Sequence, residues 1–493
     1  MEIIAFQQEF RPELPNVYGT YDYRTFRDIL IKIDELLTRS DLEHHLILGS
    51  LNRAVEKDQT LGNGKNLNYR YKVLRHALRC NIGRHLTGES YRLFSLRLAD
   101  SSLFQWFTDI HALGARKAIS KSALERYEKY FDQESVADQI RIWLSEFSNE
   151  KKANQAGLMS VVNFSETFMD STCVKANIHY PVDWVLLRDA SRSLLKAIKM
   201  IRAQGLKHRM IDPSSLAKEM NKLCIQMTHT RRKKEGKKAR KAILRAMKKM
   251  SDCISRHAKR YRQLLLEEWE KTDWTEAQMQ QVIRRIDTIL VQLPEAIKQA
   301  HERIIGSRFI QSSEKILSLY DQDVEVIIRG KPGSEVEFGQ RLLLTEQSDG
   351  LIIDWELLGK NAPSDSDLLQ PTVKRIKSYY DDVSAVSTDR AFSSAINDEF
   401  LKLNCLQNAT CPRSPKELKK RLKDPIFLSL QTRRSQTEAR IGIFKNVFLG
   451  NPLRSRITLN KRHAINWCVL VHNLWVLSRK AIADEQSKLK KAA

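Results

Sequence analysis

The sequence predicts an α+β protein: a mixed sheet with helices, interrupted after its first strand by a basic helical insertion and preceded by an all-helical N-terminal region. Three observations carry this expectation. Apolar residues recur at spacings of three and four through most of the chain. Runs rich in Val, Ile, Phe and Thr, separated by turn residues, are confined to about 160–180 and 320–410. Between those two regions lies a helical stretch that carries most of the excess positive charge. At 493 residues the chain has room for about three domains.

The first 150 residues read as short helices, with loops at 58–68 and around Gly83 and Gly88. Thr87 to Ser90 opens one helix with Leu93, Leu96 and Leu98 as its apolar positions, and Ser120 and Ser122 precede another. Arg116-Lys117 forms a basic turn, compatible with a helix-turn-helix and equally with a dimerisation unit. From 163 the stretch NFSETFMDSTCVKANI is strand-like. After Pro181 helices return, and Asp212-Pro213 supplies an N-cap and a first-turn proline. Three apolar stripes follow: Leu216, Met220, Leu223 and Met227; Ile243, Met247, Met250, Ile254, Tyr261 and Leu265; and, after Asp273-Trp274-Thr275, Met279, Val282, Ile286, Leu293, Ile297 and Ile304. They place 184–305 in a helical hairpin or bundle with methionines as core filler and basic residues outward.

Strands are expected at 324–328, 336–344 and 351–355, joined by the turns Gly330-Lys331-Pro332-Gly333 and Ser348-Asp349-Gly350. A helix at 366–381, a short strand at 385–389, a helix at 391–401 and a strand near 402–408 follow. A loop containing Pro412, Pro415 and Pro425 then leads to a helix at 434–448. This order is that of a ribonuclease H-like mixed sheet. The expected units are 1–150 (DNA end binding, dimerisation or both), 160–183 with 320–480 (the sheet), and 184–310 (the basic insertion).

Lys and Arg number 83 against 59 Asp and Glu, a formal charge of +24. Residues 191–262 hold 23 basic and 4 acidic residues, and 413–462 hold 14 and 3, so the remainder is slightly acidic. Charge concentrated in this way suits a phosphate track, because each neutralised phosphate releases condensed counterions. A solvated basic face is the plainer reading. The densest run is Arg231, Arg232, Lys233, Lys234, Lys237 and Lys238. No stretch approaches the roughly 18 apolar residues of a spanning helix, and Glu2 stands where a secretion signal has basic residues, so neither membrane nor export is expected. The seven cysteines contain no CxxC, which argues against a disulfide framework or a zinc finger.

Met169-Asp170-Ser171-Thr172, followed by Asn177-Ile178-His179-Tyr180-Pro181-Val182-Asp183, resembles the first-aspartate motif of DDE transposases from bacterial insertion sequences. Thr388-Asp389-Arg390-Ala391-Phe392-Ser393-Ser394 resembles their second-aspartate motif. Arg434, Glu438 and Lys445, spaced by four and seven, match the family's arginine-glutamate-lysine signature and fall on one helical face. Arg329-Gly330-Lys331 with Glu337-Phe338-Gly339 is similar to its second-strand region. The resemblance spans about 160–480, and it departs from the family at Gln431, where a tyrosine is usual.

The resemblance implies that Asp170, Asp389 and Glu438 are catalytic and hold two Mg²⁺ ions, with Mn²⁺ as a substitute. The ions would activate water to cut the element ends, and the freed 3′-hydroxyl would attack target DNA. Arg434, Lys445 and Arg390 would contact DNA, whose terminal inverted repeats and target sites are the implied partners. A homo-oligomer, a dimer on the DNA, is implied, in a bacterial cytosol or nucleoid. Asp183 and Asp354 are rival acids, and Asp389 ranks above Asp354 because of its motif. A structural hydrogen bond is favoured for His179 over DNA contact, and Trp467 and Trp475 fit the apolar stripe of the last helix. Two other readings stand beside this one: a catalytically silent DNA-binding protein descended from a transposase, and a ribonuclease H-fold nuclease that cuts without joining.

Overall fold

The computed structural model describes residues 13–16, 18–57, 64–110, 119–230, 236–331 and 334–492. Helices α1 (Tyr21–Arg39), α2 (Leu42–Lys57), α3 (Gly64–Thr87), α4 (Tyr91–Asp100), α5 (Ser102–Thr108), α6 (Lys121–Lys129), α7 (Gln133–Ser145) and α8 (Glu150–Gln155) precede the sheet. Ser90, Ser101, Ser120, Asp132 and Asn149 cap the shorter ones, each side chain accepting from the backbone N–H three residues on. Gly83 sits inside α3 and not in a loop: a Cβ there would meet Phe94 at 2.9 Å and Phe104 at 3.2 Å, so helix packing selects the glycine. In α4 the buried face is Phe94 and Leu98, whereas Leu93 and Leu96 are more than half exposed. The Arg116-Lys117 turn lies outside the described residues.

The chain then forms β1 (Glu166–Lys175) and leaves the sheet for α9 (Asp183–Ala203), α10 (Pro213–Thr230), α11 (Gly236–Glu268) and α12 (Glu276–Ala300). The expected stripes close on each other: Met220, Met247, Ile254, Tyr261, Ile286 and Leu293 belong to a core built by these helices, with Leu319 from the chain before β2 packed into it. Thr275 and Gln278 form a reciprocal capping box at the start of α12. Both ends of the insertion meet at Asp183. Its carboxylate oxygens each lie 2.8 Å from Arg303 Nη1, and Gln299 Nε2 donates to Oδ1 at 2.9 Å. Lys237 and Lys238 are exposed at the start of α11, whereas Arg231, Arg232, Lys233 and Lys234 lie outside the described residues.

The remaining elements are β2 (Glu325–Lys331), β3 (Ser334–Gln347), β4 (Ile352–Leu357), α13 (Asp365–Lys377), β5 (Ala385–Thr388), α14 (Ala395–Leu403), β6 (Gln407–Thr410), α15 (Pro415–Arg421), α16 (Pro425–Ile443) and α17 (Thr458–Ala492). The six strands make one mixed sheet. β3 is antiparallel to β1 on one side and to β2 and β4 on the other, while β5 runs parallel to β1, and β6 to β5. Pro415 and Pro425 are not loop residues. Each occupies the first turn of a helix, where a missing N–H costs nothing, behind Ser414 and Asp424 as caps, so α16 begins well before residue 434. α14 runs to Leu403, which pushes the last strand back to Gln407. Beyond Ile443 the helix widens into a π turn, Phe444–Leu449, a rare geometry enriched at functional sites.

One apolar core joins the N-terminal helices to the sheet and the last helix, with Leu30, Leu78 and Phe107 in the same cluster as Leu342, Ile353 and Leu470. Trp467 is fully buried in it and Trp475 packs against it. Among the described residues no helix is long and apolar enough to cross a membrane.

Candidate active site

Strand register brings the two aspartates together. β1 and β5 are parallel with Met169 opposite Thr388, so the residues that follow, Asp170 and Asp389, fall side by side at the end of β5. Helix α16 brings the glutamate. Its inner face is latched to the β3–β4 turn: Arg433 Nη1 donates to Glu346 at 2.9 Å and its Nε to the Ser348 carbonyl at 2.8 Å, while Thr437 Oγ1 donates to Glu346 at 2.8 Å. With 433 and 437 fixed against the sheet, the neighbouring row of 434, 438 and 445 is turned toward the strand ends. Asp170, Asp389 and Glu438 line one cavity of about 810 Å³, together with Asp365, Arg341 and Lys445. Lys445 Nζ donates to Thr172 Oγ1 at 3.1 Å, and the Arg434 guanidinium acts on the Asp170 carboxylate.

Gln431 does the work of a strut. Its side-chain amide donates to the carbonyls of Thr388 (3.2 Å) and Ala409, and its carbonyl oxygen accepts from Arg434 Nε at 3.3 Å. It therefore ties α16 to the ends of β5 and β6 and orients Arg434. Arg390 is exposed next to Asp389, in a loop whose carbonyls at 390 and 391 accept from Arg413. The rival acids lie elsewhere. Asp354 is buried in an ion-pair network with Arg375 (2.7 Å) and Arg141 (3.2 Å), and Asp183 is the insertion's internal clamp. His179 is exposed and lines a different cavity.

Sequence reasoning missed Asp365. It stands at the first residue of α13, where an acid ordinarily reads as a helix-terminus residue, and only the tertiary structure turns it into the cavity. It accepts from Ser171 Oγ at 3.0 Å and from Arg341 Nη1 at 3.3 Å. The adjoining Ser171 backbone N–H donates to Asp170 Oδ1 at 2.8 Å, so Arg341, Asp365 and Ser171 form a chain that ends on Asp170.

Burial, with the negative charges of Asp389 and Glu438 adding to it, pushes the Asp170 carboxyl up to about 7 against the pull of Arg434 and the Ser171 N–H. Burial raises Asp365 as well, helped by Asp389. Among the described residues no three carboxylate, imidazole or thiol side chains lie close enough to hold one ion between them. Hydrated Mg²⁺ does not need such a cage: it keeps several waters and takes one or two carboxylates plus substrate phosphate oxygens. The all-oxygen donor set of Asp170, Asp389 and Glu438 fits that demand. No protein-family model, curated protein or solved structure matches the chain.

The raised Asp170 carboxyl has a sign that can be checked. Its folded-state value lies above the unfolded 3.8, so the folded state binds the extra proton, and stability falls as pH rises from about 4 through about 7. Asp170→Asn is therefore expected to stabilise the protein at pH 8, by on the order of 2 kcal/mol, and to leave it unchanged at pH 4. Urea midpoints at the two pH values decide it; equal shifts at both would mean that the Asp170 carboxyl is not raised in the folded state.

Proposed function

We propose that this protein is a DNA transposase of the DDE type that cuts element ends and joins them to target DNA. The observation that carries the reading is the convergence of Asp170, Asp389 and Glu438, far apart in sequence, on one cavity flanked by Lys445 and Arg434. Support also comes from the strand order, in which β4, β3, β1, β5 and β6 follow the ribonuclease H-like plan with β2 added beside β3. Two Mg²⁺ ions, when bound, supply Lewis-acid activation of the attacking oxygen and charge stabilisation at the phosphate. Asp170, Asp389 and Glu438 would hold them. Lys445 and Arg434 orient the phosphate from the glutamate helix, and Gln431 keeps that helix seated against β5. Asp365, through Ser171, holds the Asp170 carboxylate in place.

The direct test uses duplexes taken from the DNA flanking the coding region. Full-length protein with Mg²⁺ is expected to cleave them at one position and then to join the 3′ end to a second DNA. Cleavage without joining would make it a nuclease, and binding without cleavage a silent relative.

Two further outcomes follow from the cations. Arg434→Ala should weaken end binding and lower the slope of log affinity against log salt by roughly one; an unchanged slope with unchanged affinity leaves Arg434 as an internal partner of Gln431 and Asp170. Changing Lys233, Lys234, Lys237 and Lys238 to Gln should lower affinity for random duplex steeply at low salt and preserve the preference for element ends, because phosphate contacts position without specifying. Melting temperature should move little. A collapse in melting temperature with unchanged random-duplex affinity would make the run an internal charge partner.

A further inference from the structure

Beside the carboxylate cavity lies a second one of about 450 Å³, formed by the segment leaving β1, the first half of α9, the chain before β2, and Arg456. One stretch of chain reaches both. Asn451 faces the first and Arg456 the second, and between them the Leu453 N–H bonds the Lys175 carbonyl at the end of β1 at 3.1 Å.

The second cavity has a different chemistry. Arg192, Lys196 and Arg456 are exposed, and among the described residues none has a carboxylate within ion-pair distance. Its one acid, Asp189, is taken up by Arg188 at 2.8 Å. Two aromatic rings stand with these cations. Tyr180 is 75 % exposed, its ring edge-on to Phe338 with centroids 5.3 Å apart. Tyr320 is bonded through its hydroxyl to Ser193 and has the Arg456 guanidinium 5.3 Å from its ring centre. Arg456 also acts on the Asp321 carboxylate, which leaves Arg192 and Lys196 as the cations open to a ligand. Two such cations beside an open ring match a ligand that is anionic at one end and flat at the other, which is a nucleotide. In a duplex both faces of a base are covered by its neighbours, so only an unpaired base offers a face to Tyr180.

We infer that this cavity binds an unpaired nucleotide of a DNA strand, its base on Tyr180 and its phosphates on Arg192 and Lys196. That the same strand continues to the carboxylates rests on the function proposed above; the chemistry of the cavity does not.

The test is fluorescence anisotropy of the full chain in EDTA with a labelled oligothymidylate and with a blunt duplex of equal length. Tyr180→Ala should weaken single-strand binding by roughly 5- to 100-fold and change duplex binding less than about twofold. Tyr180→Phe, which keeps the ring, should bind like the wild type. Arg192→Gln with Lys196→Gln should lower the single-strand salt slope by roughly one to two. Unchanged single-strand binding in Tyr180→Ala, or equal loss on both DNAs, overturns the inference, and tighter binding of an oligouridylate assigns the cavity to RNA and overturns it too. Because no metal or cleavage enters the assay, single-strand binding that depends on Tyr180 in a protein that fails to cut would refute the transposase reading alone.

Discussion

Asp389→Ala is expected to reduce Mg²⁺-dependent strand cleavage by roughly 10³-fold or more while leaving DNA affinity within about twofold. The reason lies in the division of labour in the cavity. Asp389 adds negative charge beside Asp170, and the cations that would meet phosphate are separate groups, Lys445 and Arg434. Removing a carboxylate leaves those cations in place and so should spare binding. Asp170→Ala and Glu438→Gln should behave alike, since each would remove a negative charge from the set that faces the ions, and Asp365, the other carboxylate of the cavity, is engaged by Ser171 and Arg341. Asp354→Asn is the control: its carboxylate serves Arg375 and Arg141, so it should lower stability without lowering the cleavage rate of the folded fraction. Any of the three cavity variants that cuts at near the wild-type rate is not a metal ligand.

Gly339→Ala should cost about 3 kcal/mol or more and take cleavage with it. Gly339 lies in β3 opposite Lys175 of β1, where a Cβ would overlap the Val174 carbonyl oxygen and come within 2.9 Å of Cys173 Sγ. The backbone oxygen cannot rotate away, so β1 and β3 must separate, and Asp170 lies a few residues along the same strand. Gly442→Ala offers the contrast. Nothing lies within 4 Å of a Cβ there and the residue is in α16, so alanine should be neutral or stabilising by up to about 1 kcal/mol. Urea denaturation of the two variants, followed beside cleavage, checks both. A Gly339→Ala protein as stable as the wild type would mean that the strands are not held at this register.

The insertion was the most legible part of the chain, because its stripes of Met220, Met247, Ile254 and Ile286 repeat at helical spacing over many turns and bury one face each. Strand positions around Asp170 and Asp389 were legible from β-branched and aromatic residues and from the motifs, but not the register that sets them side by side, which is a long-range pairing. Element ends failed where one residue type has two meanings. Pro425 breaks a helix in its interior and starts one at its first turn, and Gly83 reads as a turn until Phe94 and Phe104 are seen against it. Asp365 was illegible for the same reason: its local setting explains it fully, and only the fold gives it a second use through Ser171. Gln431 was visible as a departure, but its bonds to β5 and β6 could not be foreseen without the strand ends beside it.

The clamp of Asp183 on Arg303 bears on the order in which the molecule assembles. β1 must find β3 across an intervening stretch of about 160 residues, and a long wait for that encounter leaves two apolar strands open to other chains. The insertion has a core of its own and its two ends meet at one ion pair, so once folded it bridges most of that stretch and leaves a tether of roughly 40 residues. Two halvings of loop length reduce the closure entropy by about 1.2 kcal/mol, roughly an eightfold faster encounter. Folded before the sheet closes, the insertion would serve it as a splint that hands β3 back to β1.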